Sequence, residues 1–210
     1  MSVLNELTEL VQSGRAKPAQ EKVAEALENG VSAKEILDAL CAGMSVVGEK
    51  FKNNEIYVPE VLISARAMQK STELLKPYLV KEGVEPVGKA VICTVQGDLH
   101  DIGKNLVKIM FEGCGIECID LGTDVCGADV VKAVKESGAK IVALSALLTT
   151  TMPNQAEIIK ALADAGIRDS VTVMIGGAPV SEDYAKAIGA DIYTPDAASC
   201  AEAALAVFKK

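Results

Sequence analysis

Asp98 and His100 stand two residues apart in the stretch Gln96-Gly97-Asp98-Leu99-His100-Asp101-Ile102-Gly103-Lys104-Asn105, and His100 is the only histidine of the chain. A neutral imidazole is a common metal ligand, and a carboxylate this close can take its other N–H, fix the tautomer and orient the ring. A lone loop histidine is by default a solvated or locally satisfied residue, so its neighbours decide the reading. Ahead of it runs Ala-Val-Ile-Cys-Thr-Val at 90–95, an apolar strand pattern, and behind it a helical pattern begins near Gly103. In an open parallel sheet, ligands collect at the carboxyl ends of strands, which is where this loop falls.

Two later stretches occupy the same kind of position. Ser145-Ala146-Leu147-Leu148-Thr149-Thr150-Thr151 follows the third apolar run, and Gly176-Gly177 follows the fourth. Read alone, threonines favour strand ends and bond to nearby backbone, and a glycine pair is a turn. Gly103 and the Gly176-Gly177 pair, having no side chains, also permit close approach of a ligand.

The elements that must position these residues follow from periodicity. Residues 1–80 carry a sustained helical apolar period. Leu4, Leu7 and Val11 share a face in the first helix; Lys17-Pro18 opens a second with Val23 and Leu27 inward, closing at Asn29-Gly30. Ser32 with Glu35 forms a capping box before Ile36, Leu37, Leu40, Met44, Val47 and Phe51. A loop at Lys52-Asn53-Asn54-Glu55 leads to a helix from Val58-Pro59 through Val61, Ala65, Met68, Thr72, Leu75 and Leu79. Four helices with short polar connections predict an antiparallel bundle over 1–83. Gly83-Val84-Glu85-Pro86-Val87-Gly88 breaks the helix, giving a linker at 84–88. From 89 to 210 apolar runs at 89–95, 116–121, 140–147, 171–175 and 190–194 alternate with helical stretches near 103–113, 127–137, 153–165, 181–188 and 196–208. That rhythm predicts a five-stranded parallel sheet, doubly wound, with helices on both faces.

The totals exclude several classes. A net charge of −8 and 3% aromatic residues with no Trp argue against nucleic acid, which rewards clustered Lys and Arg and stacking rings. No apolar run reaches the length of a membrane span, and the acidic, amphipathic start Met1-Ser2-Val3-Leu4-Asn5-Glu6 is unlike a signal peptide, so the expected compartment is the cytoplasm. Cys41, Cys93, Cys114, Cys118, Cys126 and Cys200 form no Cys-x-x-Cys pair, which argues against a zinc or redox centre and for reduced packing residues.

Taken together, Asp98-x-His100-x-x-Gly103, Ser145-x-Leu147 and Gly176-Gly177, in that order and each at the end of a strand, resemble the signature of cobalamin-binding domains of methionine synthase, mutases and corrinoid methyl-carrier proteins. The resemblance implies a flavodoxin/Rossmann-like strand order for the sheet and a cap role for the four-helix bundle. It implies cobalamin or a related corrinoid as cofactor, bound with its own nucleotide base displaced and His100 as the cobalt ligand. Asp98 would then accept the second imidazole N–H and Thr151 would hold that carboxylate, with Thr150 standing where methionine synthase has a proline. Gly97, Asp101, Ile102, Gly103 and Leu147 would bind the cofactor, Ser145 would face the base of the tail, and Thr149 would meet the corrin edge or the lower face. Gly176, Gly177, Tyr193 and Asp196 would wall the slot for the nucleotide tail. Val47–Phe51 followed by Tyr57–Val61 is similar to the helical cap of methionine synthase, which would set Phe51 and Val58 over the reactive face.

The implied function is to carry a methyl group on cobalt, as a corrinoid subunit rather than a complete enzyme. A substrate-specific methyltransferase would load it, a corrinoid:acceptor methyltransferase would pass the methyl to tetrahydrofolate or a thiol coenzyme, and a reductive activating protein would restore the cobalt. Reduction would release the axial imidazole, so the His100–Asp98 pair would take up a proton, and the cap would move aside for each partner. The rival reading is a cobalamin-binding sensor or storage module without methyl transfer. A P-loop fails because five residues separate Gly97 from Gly103 and Asn105 replaces the magnesium-binding hydroxyl. A phosphorylation receiver fails because Ser145-Ala146-Leu147 stands where that fold needs an aspartate.

Overall fold

The computed structural model describes residues 2–209. The chain divides into two compact units: one runs to Pro86 and includes Gly113–Gly115, the other comprises Val87–Glu112 and the chain from Ile116 onward.

The first unit holds α1 (Val3–Gln12), α2 (Ala16–Glu28), α3 (Ala33–Lys52) and α4 (Val58–Glu82). Its ends are capped as their sequences dictate. Ser32 Oγ accepts the Glu35 N–H and the Glu35 carboxylate accepts the Ser32 N–H, both at 3.2 Å. The Glu60 carboxylate accepts the Tyr57 N–H at 3.1 Å to start α4, and Gly83, at φ 67°, ends it. The Glu82 carboxylate accepts the Ala33 N–H at 2.9 Å, tying the end of α4 to the start of α3. Leu7, Val11, Val23, Ile36, Leu40, Met44, Val61, Met68 and Leu75 are buried between the helices. On α2 the fully buried positions are Ala19, Val23 and Ala26, while Leu27, expected inward, is only partly covered. Adjacent residues on a helix point about 100° apart, so with Ala26 at the centre of the buried face Leu27 falls to its margin.

The second unit alternates strand and helix: β1 (Gly88–Thr94), α5 (Ile102–Gly113), β2 (Ile116–Asp120), α6 (Gly127–Ser137), β3 (Ile141–Ser145), α7 (Pro153–Asp164), β4 (Thr172–Gly176), α8 (Glu182–Ile188), β5 (Ile192–Tyr193) and α9 (Ala197–Phe208). The strands are all parallel, in the order β2-β1-β3-β4-β5. Val91, Cys93, Val142, Leu144, Val173 and Ile175 bury one face of the sheet against Val130 and Val134 of α6, Ile158 and Leu162 of α7 and Ala185 of α8. Ala90, Ile92, Ala143 and Met174 are buried too, so both faces are covered. At the edge of β1, Gly88 leaves room only for the Phe208 ring of α9.

β3 and β5 are shorter than their apolar runs by more than one residue. β3 stops at Ser145 because the next free amides, those of Leu147 and Leu148, turn to a carboxylate instead of a neighbouring strand. β5 starts only at Ile192: the Ala190 N–H bonds back to Ala185, and Asp191 meets Val173 through its backbone N–H and its side chain. The successive strands step outward from β1 first to β2 and then, on the other side, to β3. The crevice between the β1 and β3 carboxyl ends is therefore the switch point where this class of sheet binds ligands. Among the described residues, no helix is long and apolar enough to cross a membrane.

Candidate functional site

The crevice is built by two loops. After β1, Gly97 takes φ +79° and the Asp98 N–H returns to the Val95 carbonyl at 3.1 Å, so the chain folds back over the strand end. Thr94 Oγ1 donates to the His100 carbonyl at 3.0 Å. After β3, the N–H groups of Thr151 and Met152 both reach the Leu148 carbonyl at 3.1 Å, winding the segment into the start of α7.

Asp98 joins the two loops. Its side chain is wholly buried, and five donors surround it. Oδ1 accepts the His100 backbone N–H at 3.0 Å and the His100 ring Nδ1–H at 2.7 Å. Oδ2 accepts the N–H groups of Leu147 at 2.8 Å and Leu148 at 3.3 Å, and the Thr151 hydroxyl at 2.7 Å. Burial would raise the carboxyl pKa, but the bonds from the Thr151 hydroxyl, His100 and the Leu147 amide outweigh it and hold Asp98 well below the usual carboxylate range. Asp98 is therefore an anion, and an anion accepts. Nδ1 therefore donates to it, and in the neutral ring this makes Nε2 the acceptor nitrogen.

The His100 side chain is 51% exposed, and among the described residues no hydrogen bond engages Nε2. Leu99, Leu147 and Leu148 in the same two loops and Ile102 at the start of α5 are large apolar side chains left exposed. A Cβ built on Gly103 would meet nothing within 4 Å, so the first turn of α5 borders open space. Among the described residues no group of three or more His, Cys, Asp or Glu could hold a metal ion. One imidazole alone suits a metal that brings its other ligands with it on an apolar plane, and the loop residues fit such a group.

The sequence matches the B12 binding domain over residues 88–205, and a second B12 binding domain family over residues 3–76. The chain belongs to the B12-binding corrinoid protein family. It is 44% identical to a trimethylamine corrinoid protein of Methanosarcina acetivorans over 178 residues, 83% of this chain and 82% of that one. It is 38% identical to a corrinoid protein of Desulfitobacterium hafniense over 214 residues, 100% of this chain and 99% of that one. The crystal structure of a methanol:cobalamin methyltransferase complex from Methanosarcina barkeri matches with a TM-score of 0.87 at 30% identity, covering 99% of this chain and 80% of that one. Cobalamin or a related corrinoid is the cofactor of this family member.

In this corrinoid protein the remaining residues singled out in the sequence fall in several places. Ser145 pairs with Thr94 and Gly176 across the ends of β1, β3 and β4. Gly177, at φ +131°, abuts the Ala146 carbonyl so closely that a Cβ there would collide with it. Asp101 is exposed and accepts the Asn105 side-chain amide at 3.0 Å in the first turn of α5. Thr149 is exposed on the loop after β3. Asp196 serves its own helix instead: its carboxylate accepts the Ser199 N–H and the Ser199 hydroxyl, both at 2.8 Å, capping α9. Tyr193 is partly buried against the core beneath α6, α7 and α8. Phe51 and Val58 lie in the helical unit, on either side of the turn between α3 and α4, both partly buried.

Several supporting residues escaped the sequence reading. Asn154 Nδ2 donates to the Gln96 carbonyl at 2.6 Å. Gln155, buried at the start of α7, donates to the carbonyls of Leu144 at 3.1 Å and Gly176 at 3.3 Å. Lys104, 3% exposed, makes an ion pair with Asp120 at 2.7 Å and pins α5 to β2. Lys next to Asn in the first turn of a helix gives no hint of a partner sixteen residues away.

Proposed function

We propose that this corrinoid protein carries a methyl group on cobalt between a substrate-specific methyltransferase and a second methyltransferase that delivers it to tetrahydrofolate or a thiol coenzyme. The observation that carries the reading is the Asp98–His100 pair, with Nδ1 held at 2.7 Å on a half-exposed ring. The corrinoid, when bound, supplies a cobalt centre that accepts a methyl group from one partner and yields it to the other.

The chain's own residues do the rest. His100 would hold the cobalt through Nε2, displacing the cofactor's nucleotide base. Asp98 would select the tautomer that presents Nε2 as an acceptor and orient the ring, and Thr151 with the Leu147 and Leu148 amides keeps Asp98 charged. Leu99, Ile102, Leu147 and Leu148 would shed water from the lower face, and Gly97 and Gly103 leave room for the corrin. Thr149 would border its edge. Ser145, Gly176 and Gly177 would receive the tail. The helical unit, residues 1–83, would serve as a cap with Phe51 and Val58 shielding the reactive face, joined by a linker at 84–88 to the cofactor-binding unit at 89–210. The methyltransferase complex among the matched structures supports a methyltransferase partner. A reductive activating protein and a cytoplasmic location belong to the same proposal, the latter supported by the buried thiols of Cys93 and Cys200.

Reconstitution with hydroxocobalamin tests the ligand assignment. Wild-type protein should bind the corrinoid with its base displaced, and His100→Ala should bind it without that signature. The reduced holoprotein, offered methanol, methylamines and methoxyarenes with candidate methyltransferases, should be methylated from one class. Tight binding with no methylation from any class would leave a sensor or storage module.

A further inference from the structure

The loop that carries His100 is gripped from a second side. In the turn between β2 and α6, Asp124 adopts φ +58°; only Asn54 shares a positive φ among the described non-glycine residues. That conformation costs an L-residue roughly 1 kcal/mol, least for Asn and Asp. Here it allows a reciprocal contact. Asp124 Oδ1 accepts the Gly97 N–H at 2.7 Å, and the Asp124 N–H donates to the Asp98 carbonyl at 3.1 Å. Its neighbours continue the grip: the Val125 N–H reaches the Thr94 carbonyl at 3.1 Å, and the Thr94 N–H reaches the Gly122 carbonyl at 2.9 Å. Val95 and Val125 pair as an isolated parallel bridge.

From this geometry we infer that Asp124 is a positioning residue for the metal ligand, acting through Gly97 and Asp98 on His100. The inference rests on the reading of His100 as the cobalt ligand. Thr151 and the two leucine amides fix only the carboxylate end of Asp98. The backbone end needs its own anchor, because Gly97 is free to leave its left-handed conformation. Asp124 supplies that anchor at the Gly97 N–H and the Asp98 carbonyl, the left-handed point of a segment that Val95, Asn154 and Thr94 hold at other atoms. With both ends of Asp98 held, the imidazole is presented in one place before any cofactor arrives.

Three variants separate the acceptor from the conformation. Asp124→Asn keeps both, Asp124→Gly keeps the conformation and loses the acceptor, and Asp124→Ala, which also loses the acceptor, takes the place of the glycine variant should that one fail to fold. In the cofactor-free chain, amide exchange at Gly97 should quicken about tenfold or more in Asp124→Gly and stay within about threefold of wild type in Asp124→Asn. After loading with hydroxocobalamin and reduction to the paramagnetic cobalt(II) state, electron paramagnetic resonance with 15N-labelled histidine reports the fraction of cobalt bound by His100. That fraction should fall at least twofold in Asp124→Gly and hold in Asp124→Asn. A wild-type fraction in Asp124→Gly overturns the inference, even if Gly97 exchange has quickened, because the contact is then only structural. Wild-type protein that itself shows no labelled nitrogen on cobalt overturns the ligand assignment and this inference together, and the wild-type spectrum alone distinguishes that result.

Discussion

The Thr151 hydroxyl donates to the buried Asp98 carboxylate at 2.7 Å across 53 residues of sequence. That bond links the loop after β3 to the loop after β1, so Thr151 steadies His100 through Asp98. Removing the hydroxyl leaves the carboxylate its amide donors but takes away a bond to a charged group. Thr151→Ala should lower the unfolding free energy by about 1.5–3 kcal/mol, and Thr151→Ser by under about 1 kcal/mol, in urea unfolding of the cofactor-free chain. Equal losses in the two variants would assign the effect to the lost methyl group.

The depressed pKa of Asp98 makes a pH prediction with a definite sign. The unfolded carboxyl titrates near 3.9, as an ordinary aspartate does, while the folded one titrates lower. Above the unfolded value both states are ionised and the contribution is fully present. As pH falls below about 4 the unfolded chain takes up the proton first, and stability drops toward the folded pKa. The stability difference between wild type and Asp98→Asn should be flat above about pH 5 and shrink below it. Urea titrations at a series of pH values read this directly, and a difference that grows with acid would reverse the assignment.

Lys104 and Asp120 form an unequal pair. Lys104 is 3% exposed and Asp120 20% exposed. Without Lys104, Asp120 still has Lys108 at 3.2 Å and the Gly122 N–H at 2.9 Å. Without Asp120, the buried ammonium keeps only the Asn105 side-chain oxygen at 2.8 Å. Asp120→Ala should therefore cost about 3–5 kcal/mol and Lys104→Met about 2 kcal/mol, with the double variant less damaged than Asp120→Ala alone. Denaturant unfolding of the three proteins decides the order.

Two glycines should respond in opposite ways. Gly177→Ala drives a methyl into the Ala146 carbonyl at a φ of +131°, so a loss of about 3 kcal/mol or more is expected. Gly103→Ala meets open space within a helix and should raise stability by about 0.5–1 kcal/mol. If the corrin lies against this turn, the same alanine should weaken hydroxocobalamin binding. Thermal unfolding and a binding titration on one preparation report both effects.

Much of the scaffold could be read directly from residue order. The Ser32–Glu35 capping box, the helix opening at Val58-Pro59, the break at Gly83 and the alternating apolar runs are local signals, and local physics made those elements. The likeness that singled out Asp98, His100 and Thr151 also survived in the geometry as hydrogen bonds. What escaped has one of two causes. Leu147 and Leu148 contribute backbone N–H groups, which every residue but proline has, so side-chain identity carries no trace of their role. Asp124 and Lys104 act across turns whose conformation only the folded chain sets. Asp196 carries a second, local signal, since Asp followed three residues later by Ser before an alanine-rich run also reads as a helix cap, and its carboxylate makes that cap.

The order of the strands has a practical consequence for protein engineering. The Asp98–His100 pair and the donors that hold it hang from the connections that follow β1 and β3, while the sheet beneath packs through other residues. A chemist wishing to exchange the imidazole for a thioether or a phenolate could rebuild positions 96–103 and 147–151 as a replaceable socket and leave the five paired strands untouched.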